Sequence, residues 1–430
     1  MSISQRFGLR PLALAAVTLL ASAPTLAAPT WITIGERAHA LLVRSAPQAR
    51  ELSMRSVAIN VPAARGSRAA LTKGSEKVYA MEVDDADLPA LTEAVHEELR
   101  RCGGYIQHES AEEALDTLSR VQGTPETTLA PSYAIDNKAA VNFMLPQMQA
   151  SNILATIQSL SDFQNRRHTS SHGLAASNWL AAQWTALAAG RSDIRVTQIA
   201  HTGTNFKQPS VLMEITGSST SGSREVVVLG GHLDSIVSGN AETVRAPGAD
   251  DDASGVASMT EVIRVLLANR YKPQRTLRFY AYAGEESGLL GSKQIVAKVA
   301  TETVKIIGAM QLDMTAYQGS ATDLWIYTDY TNAAQNAFVA SLAATYLPEL
   351  SVGYDVCGYG CSDHASWHLA GYAASFPFEA SFATDNRNIH TVNDTIANFG
   401  GTANHALKFG KLALAYMVEL GSDRAPFKVR

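Results

Sequence analysis

The fold is decided by residues 224–287, which contain REVVVLGGHLDS (224–235), APGADDDASG (246–255) and RTLRFYAYAGEES (275–287). Twice in this stretch an apolar run leads into a small-residue turn that carries acidic or imidazole side chains. A third turn, rich in Gly, Ala and Ser, carries three adjacent aspartates. Sheets of α/β proteins build metal sites in this way, with ligands on loops and rigid strands behind them. The stretch therefore predicts a metal site.

Strands and helices alternate from about residue 140 onward. Apolar runs predict strands at 211–216, 226–230, 276–283, 306–312, 324–327 and 372–377. Helical periodicity predicts helices at 145–160, 174–189, 256–268, 289–300, 332–346 and 403–419. The alternation predicts an α/β fold, a single globular domain over 131–430 whose mostly parallel mixed sheet is flanked by helices.

Composition excludes several classes of function. The 430 residues carry a net charge of −5, which argues against a nucleic-acid or anionic-membrane partner. Three cysteines are too few for a disulfide scaffold, and their spacing fits no tetrahedral zinc cluster. The absence of a G-x-S-x-G motif and of a phosphate-binding glycine loop argues against serine-hydrolase and nucleotide chemistry.

Residues 1–28 are typical of a secretory signal peptide. Arg6 and Arg10 precede an apolar run at 11–21, and small residues follow it. The alternative is a membrane anchor, but the run is shorter than the about 20 residues that a span needs. We therefore expect a secreted, extracellular protein, exported directly or through the periplasm, with no membrane attachment after signal removal. In such an oxidising compartment two cysteines can pair.

Residues 29–130 form a segment of different character. Residues 78–108 place a short strand before an amphipathic helix, and the polar, proline-containing run at 124–136 indicates a linker. A small α/β module followed by an exposed linker predicts a cleavable propeptide. The alternative is a permanent accessory domain.

Five positions at predicted strand ends or on adjacent loops offer metal ligands. They are His232, one of the three aspartates at 250–252, Glu286, Asp313 and His390. Carboxylates and imidazoles without thiolates suit zinc, cobalt or manganese, and a bridging carboxylate would hold two ions roughly 3.5–4 Å apart. Each residue alone has an ordinary explanation, such as a helix cap or a solvated acidic loop. Their joint placement carries the prediction.

The doublet Glu285-Glu286 offers two different tasks. Successive residues that leave a strand point in opposite directions, so one carboxylate can bind metal while the other faces the substrate. The second carboxylate can take a proton from metal-activated water and pass it to a leaving amine. The site therefore predicts a metal-dependent hydrolase.

Two other histidine patterns are weaker. His96 begins a segment that resembles the H-E-x-x-H motif but lacks the second histidine, and it lies in the predicted propeptide. His364 and His368 are four residues apart and would be able to chelate an ion from one helix face. Because neither has a neighbouring glutamate, we interpret the pair as structural or supporting residues.

Six motifs occur in order between about residues 135 and 422: GGHLDS, PGADDDASG, AYAGEESGLLGS, QLDMT, CGYGCSDHASWH and IHTVNDT. Together they resemble the secreted bacterial leucyl aminopeptidases of the M28 di-zinc metallopeptidase family. The resemblance implies a hydrolase that removes the N-terminal residue from peptides with a free N-terminus, using two zinc ions per chain. It also implies that the chain's own propeptide assists folding and restrains activity. We expect a monomer.

The resemblance assigns roles to the residues of these motifs. One zinc ion would be bound by His232, Asp251 and Asp313, and the other by Asp251, Glu286 and His390, so that Asp251 bridges the two. Glu285 would be the general base and acid, and Asp234 would orient the imidazole of His232. The resemblance further implies a cis peptide at Asp251-Asp252 and a disulfide between Cys357 and Cys361.

The resemblance also implies a hydrophobic pocket for the N-terminal side chain of the substrate. Its residues here are Met314, Tyr359, Phe378, Phe382, Asp385 and Ile389. An apolar pocket favours Leu-like residues, but Asp385 stands where leucine-preferring relatives carry Tyr. If Asp385 lines the pocket, its carboxylate would favour Lys or Arg. The alternative is that Asp385 turns to solvent.

Two other classes of protein share this fold. Glutaminyl cyclases are transferases with a single zinc ion, so two metal ions per chain would favour the peptidase. Certain receptor ectodomains have lost the metal ligands and the activity. All five ligands and the glutamate base stand in this sequence, which argues against the receptor class.

Overall fold

The computed structural model describes residues 29–62, 71–99, 104–120, 133–203, 205–219 and 224–422. The predicted signal peptide and most of the predicted linker lie outside these residues. The described chain forms an N-terminal module, residues 29–120, and a C-terminal domain, residues 133–422. Within the described residues, no helix combines the length and the apolarity that crossing a membrane requires.

The N-terminal module is a four-stranded antiparallel sheet with three helices. Its elements are β1 (Pro29–Gly35), α1 (Glu36–Ser45), β2 (Arg50–Pro62), β3 (Leu71–Asp84), α2 (Leu88–Ala94), β4 (Tyr105–His108) and α3 (Ala111–Arg120). The strand order is β2-β3-β1-β4. The strand and the helix predicted within residues 78–108 are the end of β3 and α2. The strands β1, β2 and β4 are not predicted, because antiparallel strands with one solvated face lack a continuous apolar run. A π-helical turn, Val95–Leu99, extends α2.

The C-terminal domain is built on an eight-stranded sheet in the order β11-β10-β12-β9-β7-β8-β6-β5. Its elements are α4 (Lys138–Met144), α5 (Ala150–Ser161), α6 (Ser171–Leu187), β5 (Ile194–Ile199), β6 (Ser210–Ile215), β7 (Arg224–His232), α7 (Ala253–Ala268), β8 (Thr276–Tyr282), α8 (Leu290–Ala300), β9 (Val304–Gln311), β10 (Leu324–Tyr327), α9 (Ala333–Tyr346), β11 (Val352–Asp355), α10 (His364–Leu369), β12 (Ala374–Phe378) and α11 (Asn404–Gly421). Four of the seven strand pairs are parallel. The predicted α/β fold with a mostly parallel mixed sheet is confirmed.

Helices cover both faces of the sheet. One core packs α5, α7 and α11 against one face, and a second core packs α8 and Trp367 of α10 against the other. The central strand β8 is consequently buried at all seven positions. This explains why β7, β8 and β9 are nearly continuous apolar runs, the pattern of strands that are covered on both faces.

Several element boundaries differ from the predictions. The helix predicted at 145–160 begins later, as α5 at Ala150, because residues Leu145–Gln147 form a 3-10 turn. This turn separates α5 from α4, which the sequence pattern does not predict. Pro146 lies in this turn, and its missing N–H and fixed backbone angle interrupt a continuous helix. The elements β5, β11 and α10 were not predicted; each has only four to six residues, too few for a clear periodicity.

Candidate metal centre

The predicted ligands meet at one edge of the sheet. β7 ends at His232, β9 is followed by Asp313 and β8 by Glu286. His390 lies on the loop after β12, and Asp251 lies two residues before the start of α7. Because β12, β9, β7 and β8 are consecutive parallel strands, their carboxyl ends lie side by side. This is the edge at which open α/β sheets place their ligand sites.

One group of ligand atoms consists of His232, Asp251 and Asp313. Nε2 of His232 lies 2.9 Å from Oδ1 of Asp251 and 3.5 Å from Oδ1 of Asp313. Ser362 donates a 2.6 Å hydrogen bond to the other oxygen of Asp313, Oδ2. Oδ1 of Asp313 has no hydrogen-bond partner among the described residues, so this oxygen remains available to a ligand.

Asp251 turns its second oxygen to another group. Oδ2 of Asp251 lies 2.9 Å from Nε2 of His390, and the same nitrogen lies 3.1 Å from Oε2 of Glu286. Asp251 therefore lies between the two groups with one carboxylate oxygen facing each. A carboxylate that bridges two metal ions needs this arrangement.

The spacing of these atoms fits metal ions. Zinc binds nitrogen and oxygen ligands at about 2.0–2.2 Å, so two ligand atoms of a tetrahedral site lie roughly 3.3 Å apart. The nitrogen–oxygen separations within the two groups are 2.9, 3.5, 2.9 and 3.1 Å. The two groups therefore have the donor types and the spacing that a pair of metal ions requires.

The buried carboxylates create a field that favours positive charge. Burial alone would lower the pKa of His390, but Glu286 and Asp251 raise it to about 10. Burial would likewise raise the pKa of Asp251, but hydrogen bonds from His232 and His390 hold it well below its usual range. Opposing shifts of this kind are typical of functional sites, and here they point to a cation site.

Asp252 ties three segments of backbone together and does not face the ligand groups. Its Oδ2 accepts a hydrogen bond from the N–H of His232 at 2.9 Å. Its Oδ1 accepts hydrogen bonds from the N–H groups of Gly255 at 2.8 Å and Met314 at 3.1 Å. The carboxylate thus joins the end of β7, the start of α7 and the segment after β9. The Asp251-Asp252 peptide is cis, as the resemblance implied.

Asp250 and Asp394 fix the loop that carries Asp251. The two oxygens of Asp394 accept hydrogen bonds from the N–H groups of Asp250 and Asp251, both at 3.1 Å. Asp250 in turn accepts from the N–H of Ala316 at 3.0 Å and from the side chain of Asn386 at 2.9 Å. Asp394 lies in the IHTVNDT motif, but no local pattern predicts its role, because that role depends on a distant loop.

Asp234 supports both a ligand and the glutamate doublet. Its backbone carbonyl accepts a 3.1 Å hydrogen bond from Nδ1 of His232, whereas its carboxylate Oδ1 lies 3.5 Å from that nitrogen. A proton on Nδ1 leaves Nε2 of His232 free as a ligand atom. The carboxylate of Asp234 accepts hydrogen bonds from the N–H groups of Glu285 at 3.1 Å and Glu286 at 3.3 Å. Its contacts therefore extend beyond the orientation of His232 that the resemblance implied.

Glu285 is buried and belongs to neither ligand group. Neither oxygen of its carboxyl group meets a hydrogen-bond donor among the described residues. Burial raises the pKa of Glu285 well above its usual value, and the adjacent Glu286 adds to the rise. A glutamate with a raised pKa and a free carboxyl group suits proton transfer near neutral pH.

A cavity of about 320 Å³ opens beside the first ligand group. Asp313 lines it, together with the six predicted pocket residues Met314, Tyr359, Phe378, Phe382, Asp385 and Ile389. Tyr327, Phe376, Cys357 and Cys361 complete the lining. Its lining is mainly apolar and aromatic, which suits an apolar side chain of a substrate.

Asp385 faces the cavity. Its exposed fraction is only 7%, and Nε of Arg387 lies 3.1 Å from its Oδ1. The alternative that Asp385 turns to solvent is therefore wrong. The cavity is mainly apolar but has one carboxylate in addition to that of Asp313, and the exposed Arg387 partly neutralises it.

The implied disulfide is present. Cys357 and Cys361 are bonded across a Cα–Cα distance of 6.4 Å. The short loop that they close carries Tyr359, whose ring packs 6.4 Å from that of Phe382. The disulfide thus constrains one wall of the cavity.

Of the two weaker histidine patterns, the pair His364 and His368 lies outside the ligand groups, whereas His96 lies beside one of them. His364 stacks on Phe376 and His368 lies edge-on to Tyr330, so both are packed inside the domain and belong to neither ligand group. The incomplete motif at His96 predicts no ligand, but His96 lies inside the candidate site. Its Nε2 is 3.4 Å from Oε2 of Glu286, and its ring is 4.2 Å from that of His390.

Comparison with known proteins assigns the family. Residues 210–417 match peptidase family M28. A probable leucine aminopeptidase of Trichophyton verrucosum is 34% identical over 290 residues, which are 66% of this chain and 74% of that protein. The chain belongs to peptidase family M28. Leucine aminopeptidase 1 of Arthroderma otae, 33% identical over 69% of this chain and 80% of that protein, is a second relative of this M28 peptidase.

Solved structures extend the similarity to the N-terminal module. The LapA aminopeptidase of Legionella pneumophila superposes with a TM-score of 0.73 at 27% identity, covering 93% of this M28 peptidase and all of that chain. LapB of the same organism gives a TM-score of 0.74, also at 27% identity, covering 92% of this chain and 100% of that one. The C-terminal domain is about two thirds of the chain (290 of 430 residues), so both matches include the module. The family and the named relatives make this chain a metal-dependent aminopeptidase.

Proposed function

We propose that this M28 peptidase is a secreted di-zinc aminopeptidase that removes Leu-like residues from the N-termini of peptides. The observation that carries the proposal is the position of Asp251, which presents one oxygen to each of two ligand groups. In this assignment His232, Asp251 and Asp313 hold one zinc ion, and Asp251, Glu286 and His390 hold the other. The relatives named as leucine aminopeptidases support the substrate class.

The protein's own residues supply proton transfer. Two bound ions would polarise the scissile carbonyl and lower the pKa of the attacking water. Glu285 accepts the proton of that water and donates it to the leaving amine. Its free carboxyl group supports this role. Asp234 holds the backbone of the doublet, so that Glu285 keeps its place while Glu286 serves as a ligand.

The cavity favours hydrolysis at the first residue of a peptide. Its lining is mostly aromatic and sulfur-containing, and Asp313 connects it to the first ligand group. The N-terminal side chain of the substrate fills the cavity, which brings the first peptide bond to Glu285 and the ligand groups. The free α-amine of the substrate then lies near the buried carboxylates, which attract its positive charge.

Two complete ligand groups favour a peptidase over a glutaminyl cyclase. A single-zinc cyclase needs only one group, whereas here Asp251 has a second set of partners in Glu286 and His390. A Bacteroides thetaiotaomicron glutaminyl cyclase is similar to this chain at only 16% identity with a TM-score of 0.51, a likeness of fold alone.

We further propose that residues 1–28 direct secretion and that residues 29–130 are a propeptide. The basic, apolar and small-residue pattern of residues 1–28 supports the first assignment. The module's separate sheet and separate core support the second, since they form a unit that can be removed without cutting the eight-stranded sheet.

The proposed function is tested with a panel of aminoacyl p-nitroanilides and a parallel metal count. We expect Leu p-nitroanilide to be hydrolysed, the activity to be lost with a chelator, and two zinc ions per chain to restore it. N-acetylated Leu p-nitroanilide serves as the control and should be resistant, because the free α-amine is blocked. Full activity with one zinc ion, or cleavage of the blocked substrate, would contradict the proposal.

Asp385 sets how well basic N-terminal residues are accepted. Replacing Asp385 by Tyr should lower the Lys:Leu ratio of kcat/KM by about tenfold, the effect of losing one charge-assisted hydrogen bond. The matched variant Arg387→Ala removes the cation that lies 3.1 Å from Asp385 and should raise the same ratio. If the ratio is the same in Asp385→Tyr as in the wild type, Asp385 plays no part in specificity.

A further inference from the structure

His96 of the N-terminal module reaches into the candidate metal centre of the C-terminal domain. It lies in the π-helical turn that extends α2, and only 2% of its surface is exposed. Its Nε2 has no hydrogen-bond partner among the described residues and is 3.4 Å from Oε2 of Glu286. A buried polar side-chain atom normally has at least one hydrogen-bond partner. This nitrogen instead faces the other domain.

The position of His96 is that of a ligand. The ligand atoms of His96, Glu286 and His390 all lie within 4.8 Å of one another, as those of His232, Asp251 and Asp313 do. The 3.4 Å separation from Glu286 is close to the roughly 3.3 Å between two ligand atoms of a tetrahedral zinc ion. Catalytic zinc sites keep a position open for water or substrate, and His96 points at the group where such a position is needed.

We propose that, in the uncleaved chain, His96 is a ligand of the metal ion held by Glu286, His390 and Asp251. The inference rests on the proposed two-metal site. In this proposal the N-terminal module covers the metal centre and also supplies one of its ligands. The coordination position becomes available to water or substrate only when the module leaves.

Packing fixes the module against the turn that carries the glutamate doublet. Tyr105 of β4 packs against Gly288, where any side chain would begin 2.9 Å from its ring. The hydroxyl groups of Tyr105 and Thr92 are 2.7 Å apart, which ties β4 to the helix that precedes His96. These contacts place the ring of His96 next to the turn Glu285–Ser287, which presents Glu286.

Further contacts hold the two units together around this point. Ile106 of the module packs with Leu289 and Tyr330 of the C-terminal domain. Nζ of Lys293 lies 3.1 Å from Oε1 of Glu113. Arg120 donates a 2.7 Å hydrogen bond to the carbonyl of Leu369. The module is therefore docked through apolar, ionic and hydrogen-bonded contacts, which lets one imidazole keep a fixed position.

The test compares full-length, uncleaved chains loaded with two cobalt ions. His96→Ala removes the donor, and His96→Phe removes it but keeps a ring beside His390. Both variants should change the visible absorption of the cobalt chain and release one of the two ions to a chelator at least about tenfold faster. His39→Ala is the matched control, because His39 stacks on Tyr79 in the same module and belongs to neither ligand group. Wild-type spectra and release rates in a folded His96 variant would overturn the proposal.

A measurement on the wild-type chain decides the matter if either variant fails to fold. In a crystal structure of the uncleaved, zinc-loaded chain, we expect Nε2 of His96 at about 2.0–2.1 Å from one zinc ion. A distance above about 3 Å, with both ions present, would overturn the His96 assignment and leave the two-metal site intact. Fewer than two ions in the site would instead contradict the proposed function.

Discussion

Replacing Glu285 by Gln is expected to lower kcat by about 10²-fold or more while two metal ions remain bound. Gln has the shape of Glu but cannot take a proton from the attacking water. Both oxygens of Glu285 are buried without a hydrogen-bond donor among the described residues, so the substitution breaks no described contact. Turnover of Leu p-nitroanilide and metal content are measured on the same preparation.

The adjacent glutamate provides the control. Glu286→Gln alters a residue of similar burial on the same turn, but its carboxylate lies 3.1 Å from Nε2 of His390. We expect this variant to lose metal from the second group, whereas Glu285→Gln keeps both ions. Near-native turnover in Glu285→Gln would remove Glu285 from the mechanism, and loss of metal from it would make Glu285 a ligand.

Replacing Asp251 by Asn should weaken the binding of both metal ions together. We expect a loss of metal affinity greater than the roughly 10–100-fold loss that follows when a residue that only supports a ligand is replaced. One oxygen of Asp251 faces His232 and the other faces His390, so one amide substitution removes charge from both groups at once. The metal affinity of each site is measured by calorimetry, and activity should be lost in parallel.

Asp313→Asn is the control for Asp251→Asn, because it changes a ligand that the two groups do not share. Asp313 lies 3.5 Å from Nε2 of His232 and belongs only to the first group. Its replacement should weaken the binding of the ion at the first group much more than the binding of the other ion. If Asp251→Asn leaves one site with wild-type affinity, Asp251 does not bridge the two ions.

The ligand positions were predictable from sequence because they follow elements with strong patterns. β7, β8 and β9 are covered on both faces and read as apolar runs, so the residues just after them are easily found. His232, Glu286 and Asp313 were located in this way. The choice of Asp251 as the ligand followed only from the resemblance, since three adjacent carboxylates look alike in a sequence. The roles of Asp250 and Asp252 followed only from the structure.

Short or solvated elements were harder to predict. Only one of the four strands of the N-terminal module was predicted, because a strand such as β2, whose residues 50–56 are all exposed or partly buried, has no continuous apolar run there. Asp394 has a clear role only once its carboxylate is seen 3.1 Å from two backbone N–H groups more than 140 residues away. No local pattern encodes such a contact.

Local periodicity predicts six of the eight strands of the large sheet, and the residues next to the strand ends predict the edge that carries the ligands. Tertiary structure decided the direction of Asp385, which is buried at the cavity and lies 3.1 Å from Arg387. It also decided the place of His96, whose motif is incomplete in sequence. Docking of one folded unit on another brings His96 to Glu286, and sequence spacing carries no information about that contact.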